Sequence, residues 1–171
     1  MAGCARVTGA LCDIDPNGKH GVTKTRKAFP KANFYTDFRE LMANEKGLDA
    51  VTISTPDHTH ANIAMAAMQR DIHVYVQKPL THNIKEARML TQTARDRKIV
   101  TQMGNQGASN PCQLQVQEWI DAGEIGNVHT VKVWTDRPIW PQGIPMTKPD
   151  PENIPKDLNW DLWLGPAKST P

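Results

Sequence analysis

Residues 49–79 read DAVTISTPDHTHANIAMAAMQRDIHVYVQKP, and how this stretch is parsed decides the fold. Val51 to Ile53 and His73 to Gln77 are short runs rich in β-branched and aromatic residues, each followed by polar turn formers. Between them Ala61, Ala64, Met65 and Met68 recur at i, i+3, i+4 and i+7, the spacing of one buried helical face. Strand, helix, strand in so few residues is a βαβ unit. Both runs are continuous rather than alternating, which suits parallel strands covered on both faces.

The same pattern extends outward. An apolar run, VTGALCDI from Val7, precedes the stretch and another, KIVTQM from Lys98, follows it. Asn83 before Glu86 and Asp37 before Glu40 have the spacing of capping boxes, and Asn110 with Pro111 predicts a further helix start. In that last helix Cys112, Val116, Trp119 and Ile120 mark a buried face, and Gly123 is placed to end it. The Met and Trp positions read as core rather than as a cofactor box. Alternating strands and helices give an α/β fold with a doubly wound parallel sheet.

After Gly126 the pattern changes. NVHTVKVWTDR, from Asn127, alternates like a half-buried antiparallel strand, and the proline-rich RPIWPQGIPMTKPDPENIP beyond it reads as an extended loop. The expected division is therefore 1–125 and 126–171, with no internal repeat.

Composition narrows the class. The chain has 171 residues, 39% of them hydrophobic, enough for one ordinary core and the start of a second. A formal charge of +2, spread along the chain, offers no basic patch for nucleic acid or an anionic membrane. A small-molecule partner is the expectation. Cys4, Cys12 and Cys112 form no paired spacing, and Cys12 reads as a small buried hydrophobe. A reducing, cytoplasmic setting fits, with neither a secretory signal nor a run of about 18 apolar residues; a signal in missing upstream sequence would escape notice.

Ligands of open parallel sheets bind beyond the carboxyl ends of the strands. Four strand ends here are polar: Asp13 and Asp15; Ser54, Thr55, Asp57, His58 and His60; Gln77 and Lys78; Asn105 and Gln106. Together they are expected to line one crevice. An acid ending an early strand can accept hydrogen bonds from ribose hydroxyls and repel a 2′-phosphate, and Asp13 is the candidate. The competing reading is that Asp13 and Asp15 only shape the turn before PNG. The DHTH cluster invites a metal, but its histidines lack the paired spacing of a zinc site and capping accounts for Asp57 and Thr59, so no metal is expected. Lys78 either snorkels to solvent or, partly buried, serves a substrate hydroxyl in acid–base chemistry.

The ordered set CDID, TPDHTHA, QKPLT and MGNQG resembles the nicotinamide-dependent oxidoreductase family of glucose–fructose oxidoreductase and inositol 2-dehydrogenase (Gfo/Idh/MocA-like), from about Val7 to about Val133. The later NWDLWLGPA also looks like a segment of many members. The resemblance implies a Rossmann domain followed by an α/β domain that carries the substrate face and mediates homo-oligomerisation. It implies NAD as cofactor, with Asp13 at the adenosine ribose and Ser54, Thr55, Pro56 and His60 along the dinucleotide. Gln77, Lys78 and Pro79 stand where members have Glu-Lys-Pro. Lys78 carries over as the catalytic residue near nicotinamide and substrate hydroxyl, Pro79 fixes the strand exit, and Asn105 and Gln106 lie beside the nicotinamide end. Asp13 favours NAD over NADP, although Lys19, Lys24 or Arg26 offers charge for a phosphate.

Two departures shape the expectation. Gln77 brings no charge to orient Lys78. No G-x-G-x-x-G occurs in the chain, and the family's first strand and its acid–base histidine are not found in it, so the chain is expected to be a fragment that binds NAD weakly or not at all alone. The implied activity is hydride transfer between nicotinamide and a secondary alcohol of a sugar, cyclitol or related polyol. The rivals are an NAD-dependent glycosidase, distinguished by sugar release without net NADH, and a non-catalytic binding module.

Overall fold

The computed structural model describes residues 9–17, 22–135, 154–155 and 158–168. Contacts divide the chain into two units, Met1–Gly104 with Asp150–Pro171, and Asn105–Pro149. The first unit thus closes at Gly104, earlier than the division expected after Ile125, and the segment near Trp160 packs with it.

Within the first unit β3 (Ala50–Ile53), β4 (His73–Gln77) and β5 (Thr101–Gly104) form a parallel sheet in that order, with Val51 opposite Val74 and Val76 opposite Met103. The connections are α3 (His60–Met68) and α4 (Ile84–Arg97). Small residues let α3 approach the sheet: Ala64 and Ala67 are fully buried, beside Met68, Val74 and Val76. Each larger apolar side chain buried this way contributes about 1.5–3 kcal/mol. Asn83 starts α4 with the expected capping box, its side chain accepting from the Glu86 N–H at 2.9 Å while the Glu86 carboxylate accepts from the Asn83 N–H.

The cover is one-sided. Val74 and Val76 are buried, but Tyr75 between them is 36% exposed and three of the four β5 residues are exposed. The expectation of strands covered on both faces is corrected accordingly. A continuous apolar run records what a strand can bury, not what is present to bury it.

A second parallel pair, β1 (Ala10–Cys12) and β2 (Asn33–Tyr35), is joined through α1 (Val22–Ala28) and followed by α2 (Phe38–Asn44). Asp37 caps α2, but through the Arg39 N–H at 2.8 Å and the Arg39 guanidinium rather than in a reciprocal box with Glu40. Among the described residues no ladder joins β1 to β3. The parallel α/β, Rossmann-like class is as read from the sequence, with its strands in two sheets.

In the second unit α5 (Pro111–Asp121) starts at Asn110, whose side chain accepts from the Cys112 N–H at 3.0 Å. Gly123, with φ of +76°, follows the helix end where only glycine adopts that conformation freely. The predicted buried face of α5 is exposed, and residues 127–135 form no strand. An alternating sequence needs a neighbouring strand for its ladder, and none pairs with it among the described residues. Most of the proline-rich segment lies outside them.

Candidate functional site

β1 and β3 flank a cavity of about 670 Å³, within the range of cofactor sites. β1 pairs with β2 and β3 with β4, and no ladder joins β1 to β3 among the described residues, so the cavity opens between the two parallel sheets. Its lining includes Asp13 after β1, Asp37 and Arg39 at the start of α2, and Ser54, Thr55 and Pro56 after β3.

Asp13 sits at a turn as well as at the cavity: its Oδ1 accepts from the Asp15 N–H at 2.9 Å. The turn reading and the cavity reading are thus compatible. Beside it Cys12 corrects an expectation, being exposed toward the cavity rather than buried. Neighbouring atoms still deprive a thiolate of solvent; burial first, then the charges of Asp37, Asp13 and Glu40, push this thiol up to about 12. It is an inert thiol at neutral pH. Across the opening, the side-chain bond from Arg39 holds the Asp37 carboxyl below the usual carboxylate range.

After β3 the chain turns through a short 3-10 segment, Asp57–Thr59, into α3. The Thr59 hydroxyl lies 2.7 Å from that of Thr55 and 2.8 Å from the Pro56 carbonyl oxygen, which fixes the turn that carries Ser54 and Thr55 to the cavity. The two histidines of the DHTH cluster diverge. His58 Nε2 donates to the Trp163 carbonyl at 2.8 Å, whereas His60 is fully buried, with Nδ1 2.6 Å from the Pro79 carbonyl oxygen and Nε2 2.7 Å from that of Thr55. His60 therefore meets strand exits and does not line the cavity.

Gln77, Lys78 and Pro79 follow β4 and are likewise absent from the cavity lining; the Lys78–Pro79 bond is cis. Lys78 is exposed, as in the alternative in which it snorkels to solvent rather than the partly buried one. A side chain at Gly104, opposite Gln77, would run into Gln77 Oε1 and stand 3.0 Å from the Tyr75 hydroxyl, so glycine here makes room for both. Asn105 and Gln106 belong to the second unit, at the entry to a 3-10 turn.

One contribution lies outside the sequence reading. The helix α6 (Trp160–Leu164), inside NWDLWLGPA, brings Asp161, Leu162 and Trp163 to the cavity wall. It is anchored by the bond from His58, by the edge contact of the His58 and Trp163 rings at 5.4 Å, and by stacking of Trp160 on Trp163 at 4.7 Å. Gly165 ends it at φ of +53°, where a Cβ would stand 3.1 Å from Thr59 Cγ2. The motif itself was the available signal; its partner, about 100 residues earlier, was not.

Residues 7–105 match the oxidoreductase family with an NAD-binding Rossmann fold, GFO_IDH_MocA. Similar proteins include the NAD(+) scyllo-inositol 2-dehydrogenase of Bacillus subtilis, 32% identical over 82 residues, which are 48% of this chain and 24% of that protein. A crystal structure of an NAD binding oxidoreductase from Klebsiella pneumoniae is 31% identical with a TM-score of 0.55, over 68% of this chain and 30% of that one. Myo-inositol 2-dehydrogenase from Lactobacillus plantarum shares the fold, with a TM-score of 0.61 at 20% identity over 70% of this chain and 34% of its own. The chain thus spans between 24% and 34% of the length of these proteins. With the parallel strands and the match across residues 7–105, the chain belongs to the Gfo/Idh/MocA oxidoreductase family, with its NAD-binding Rossmann fold.

Proposed function

We propose that this chain is the cofactor-binding part of an NAD-dependent dehydrogenase acting on a secondary alcohol of a sugar, cyclitol or related polyol. The observation that carries the reading is the cavity between β1 and β3, with Asp13 on one side and Ser54, Thr55 and Pro56 on the other. The residues suit the adenosine end of a dinucleotide. Asp13 commits Oδ1 to the turn, and Oδ2, which makes no bond among the described residues, remains to accept from ribose hydroxyls. Its charge repels a 2′-phosphate, hence NAD in preference to NADP.

When bound, the nicotinamide supplies the hydride acceptor. Lys78, at the exit of β4, holds the substrate hydroxyl and its proton, and Gln77 orients it by hydrogen bonding without adding charge. Asn105 and Gln106 are assigned to the nicotinamide end through the family resemblance. Homo-oligomerisation of the whole protein belongs to the same reading.

Titration with NADH and NADPH, followed by cofactor fluorescence, tests the cavity. In the protein that carries this segment, Asp13→Ala is expected to weaken NADH binding about tenfold, the loss of one good charge-assisted bond. It is also expected to narrow the preference over NADPH. Unchanged binding of both cofactors would remove Asp13, and with it the carrying observation.

A further inference from the structure

We propose that His58 is a positioning residue that holds α6 as the closing wall of the cavity, so that a docked α6 and an occupied cavity stabilise one another. The latch stands on the geometry of the first unit; the choice of ligand rests on the function proposed above.

α6 has five residues, and isolated helices shorter than about 12–15 residues are marginal in water, so it is helical because of what it docks on. The docking is shallow. Trp160, Leu162, Trp163 and Leu164 are all half-buried and none is fully covered. Local bonds close the helix: the Asn159 side chain accepts from the Leu162 N–H at 3.0 Å, and the Gly165 N–H donates to the Asp161 carbonyl at 3.0 Å. The Trp163 carbonyl lies in the last turn, where a helix offers it no partner. His58 supplies one. Its Nε2 donates to that oxygen at 2.8 Å, and its ring meets the Trp163 ring edge-on.

The place of His58 makes this bond matter for the cavity. It stands on the turn between β3 and α3 among Thr55, Pro56 and Thr59, which line the cavity, while His58 itself does not. Beyond the bond, Asp161, Leu162 and Trp163 line the cavity too. One hydrogen bond from outside thus joins two walls. When α6 leaves, Leu162 and Trp163 leave with it, so a ligand that touches this wall binds the docked state better and shifts the population toward it. An element with no fully buried side chain is also one that opens at low cost.

Amide hydrogen exchange of the full chain, read at Trp163 and Gly165, tests the latch without ligand. His58→Ala is expected to speed both amides about fivefold, the loss of one net hydrogen bond, while Ala64 and Ala67 of α3 keep their rates. His58→Gln keeps a donor and is expected to restore most of the protection, whereas His58→Leu fills the space without a donor and is expected not to. Trp160→Ala, at a side chain outside the cavity lining, removes the stack on Trp163 and is expected to speed the same amides without touching the α3 entry. Unchanged rates in His58→Leu and Trp160→Ala overturn the latch. Coupling is read in the protein that carries this segment: NADH at about ten times its Kd is expected to slow both amides several-fold, with about tenfold as the ceiling. Bound NADH that leaves the rates unchanged overturns the coupling. NADH that does not bind overturns the NAD reading and the coupling with it, while the latch, measured without ligand, is decided on its own.

Discussion

Two helices with nearly the same sequence signature end in opposite environments. Ala61, Ala64 and Met68 of α3 are buried against β3, β4 and α4, whereas Val116, Trp119 and Ile120 of α5 stand exposed. α5 begins at the Asn110 cap and α3 at Thr59, whose hydroxyl makes no cap bond, yet both carry apolar residues at helical spacing. The difference teaches that periodicity identifies the face a helix can bury. Whether anything covers that face depends on strands and helices distant in sequence.

The sharpest way to break this comparison is to truncate both faces. Met68→Ala is expected to destabilise the first unit by about 2–5 kcal/mol through lost burial and a cavity. Trp119→Ala is expected to change urea unfolding by no more than about 0.5 kcal/mol, as for an exposed side chain. Similar losses from both would show that α5 is covered in solution.

Two exposed cysteines among the described residues, Cys12 and Cys112, sharpen it next, since exposure alone does not set reactivity. With its thiol pushed up to about 12, Cys12 holds very little thiolate at pH 8. Its alkylation by iodoacetamide, followed by mass spectrometry, is expected to be at least about tenfold slower than that of an ordinary cysteine, with Cys112 as internal reference. Equal rates would mean the walls around Cys12 do not desolvate it.

Caps should ignore the contrast, because they are local. Asn83→Ala on α4 and Asn110→Ala on α5 each remove a side-chain acceptor for a helical N–H, and each is expected to cost about 1 kcal/mol of local helix stability. Hydrogen exchange in the first turns measures it. A loss confined to α4 would show that capping depends on burial after all.

The smallest effect concerns the β1–β2 pair. Glu45 accepts from Asn33 Nδ2 and from the Tyr35 hydroxyl, both at 2.8 Å, and these bonds hold its carboxyl below the usual range, as Arg39 does for Asp37. A carboxyl depressed in the folded state adds stability above its unfolded pKa and loses it as pH falls through the folded value. The pair is therefore expected to loosen below about pH 4, ahead of the apolar β3–β5 core. Glu45→Gln should flatten that acid limb in circular dichroism; an unchanged limb would place the loss elsewhere.

Much of the first unit was legible in the sequence. The β-branched runs became β3 and β4, the spacing of Ala61, Ala64 and Met68 became the covered face of α3, and Asn83 made its capping box. These features arise from interactions within a few residues. Ser54, Thr55 and Pro56 line the same cavity as Asp13, although β1 and β3 belong to separate sheets. The strand expected from Asn127 failed because alternation supplies only half of a ladder, and the partner is not a local property.

By itself the sequence determined the elements, their caps and the parallel α/β class, since side-chain period and backbone capping are set over one or two turns of chain. Only the tertiary structure decided that β1 and β3 stand apart around a cavity, that α6 anchors on His58, and that His60 faces two carbonyl oxygens from neighbouring strand exits. The physical reason is separation: His58 and Trp163 lie 105 residues apart and His60 and Pro79 lie 19 apart, and no local preference encodes which groups meet when such segments pack.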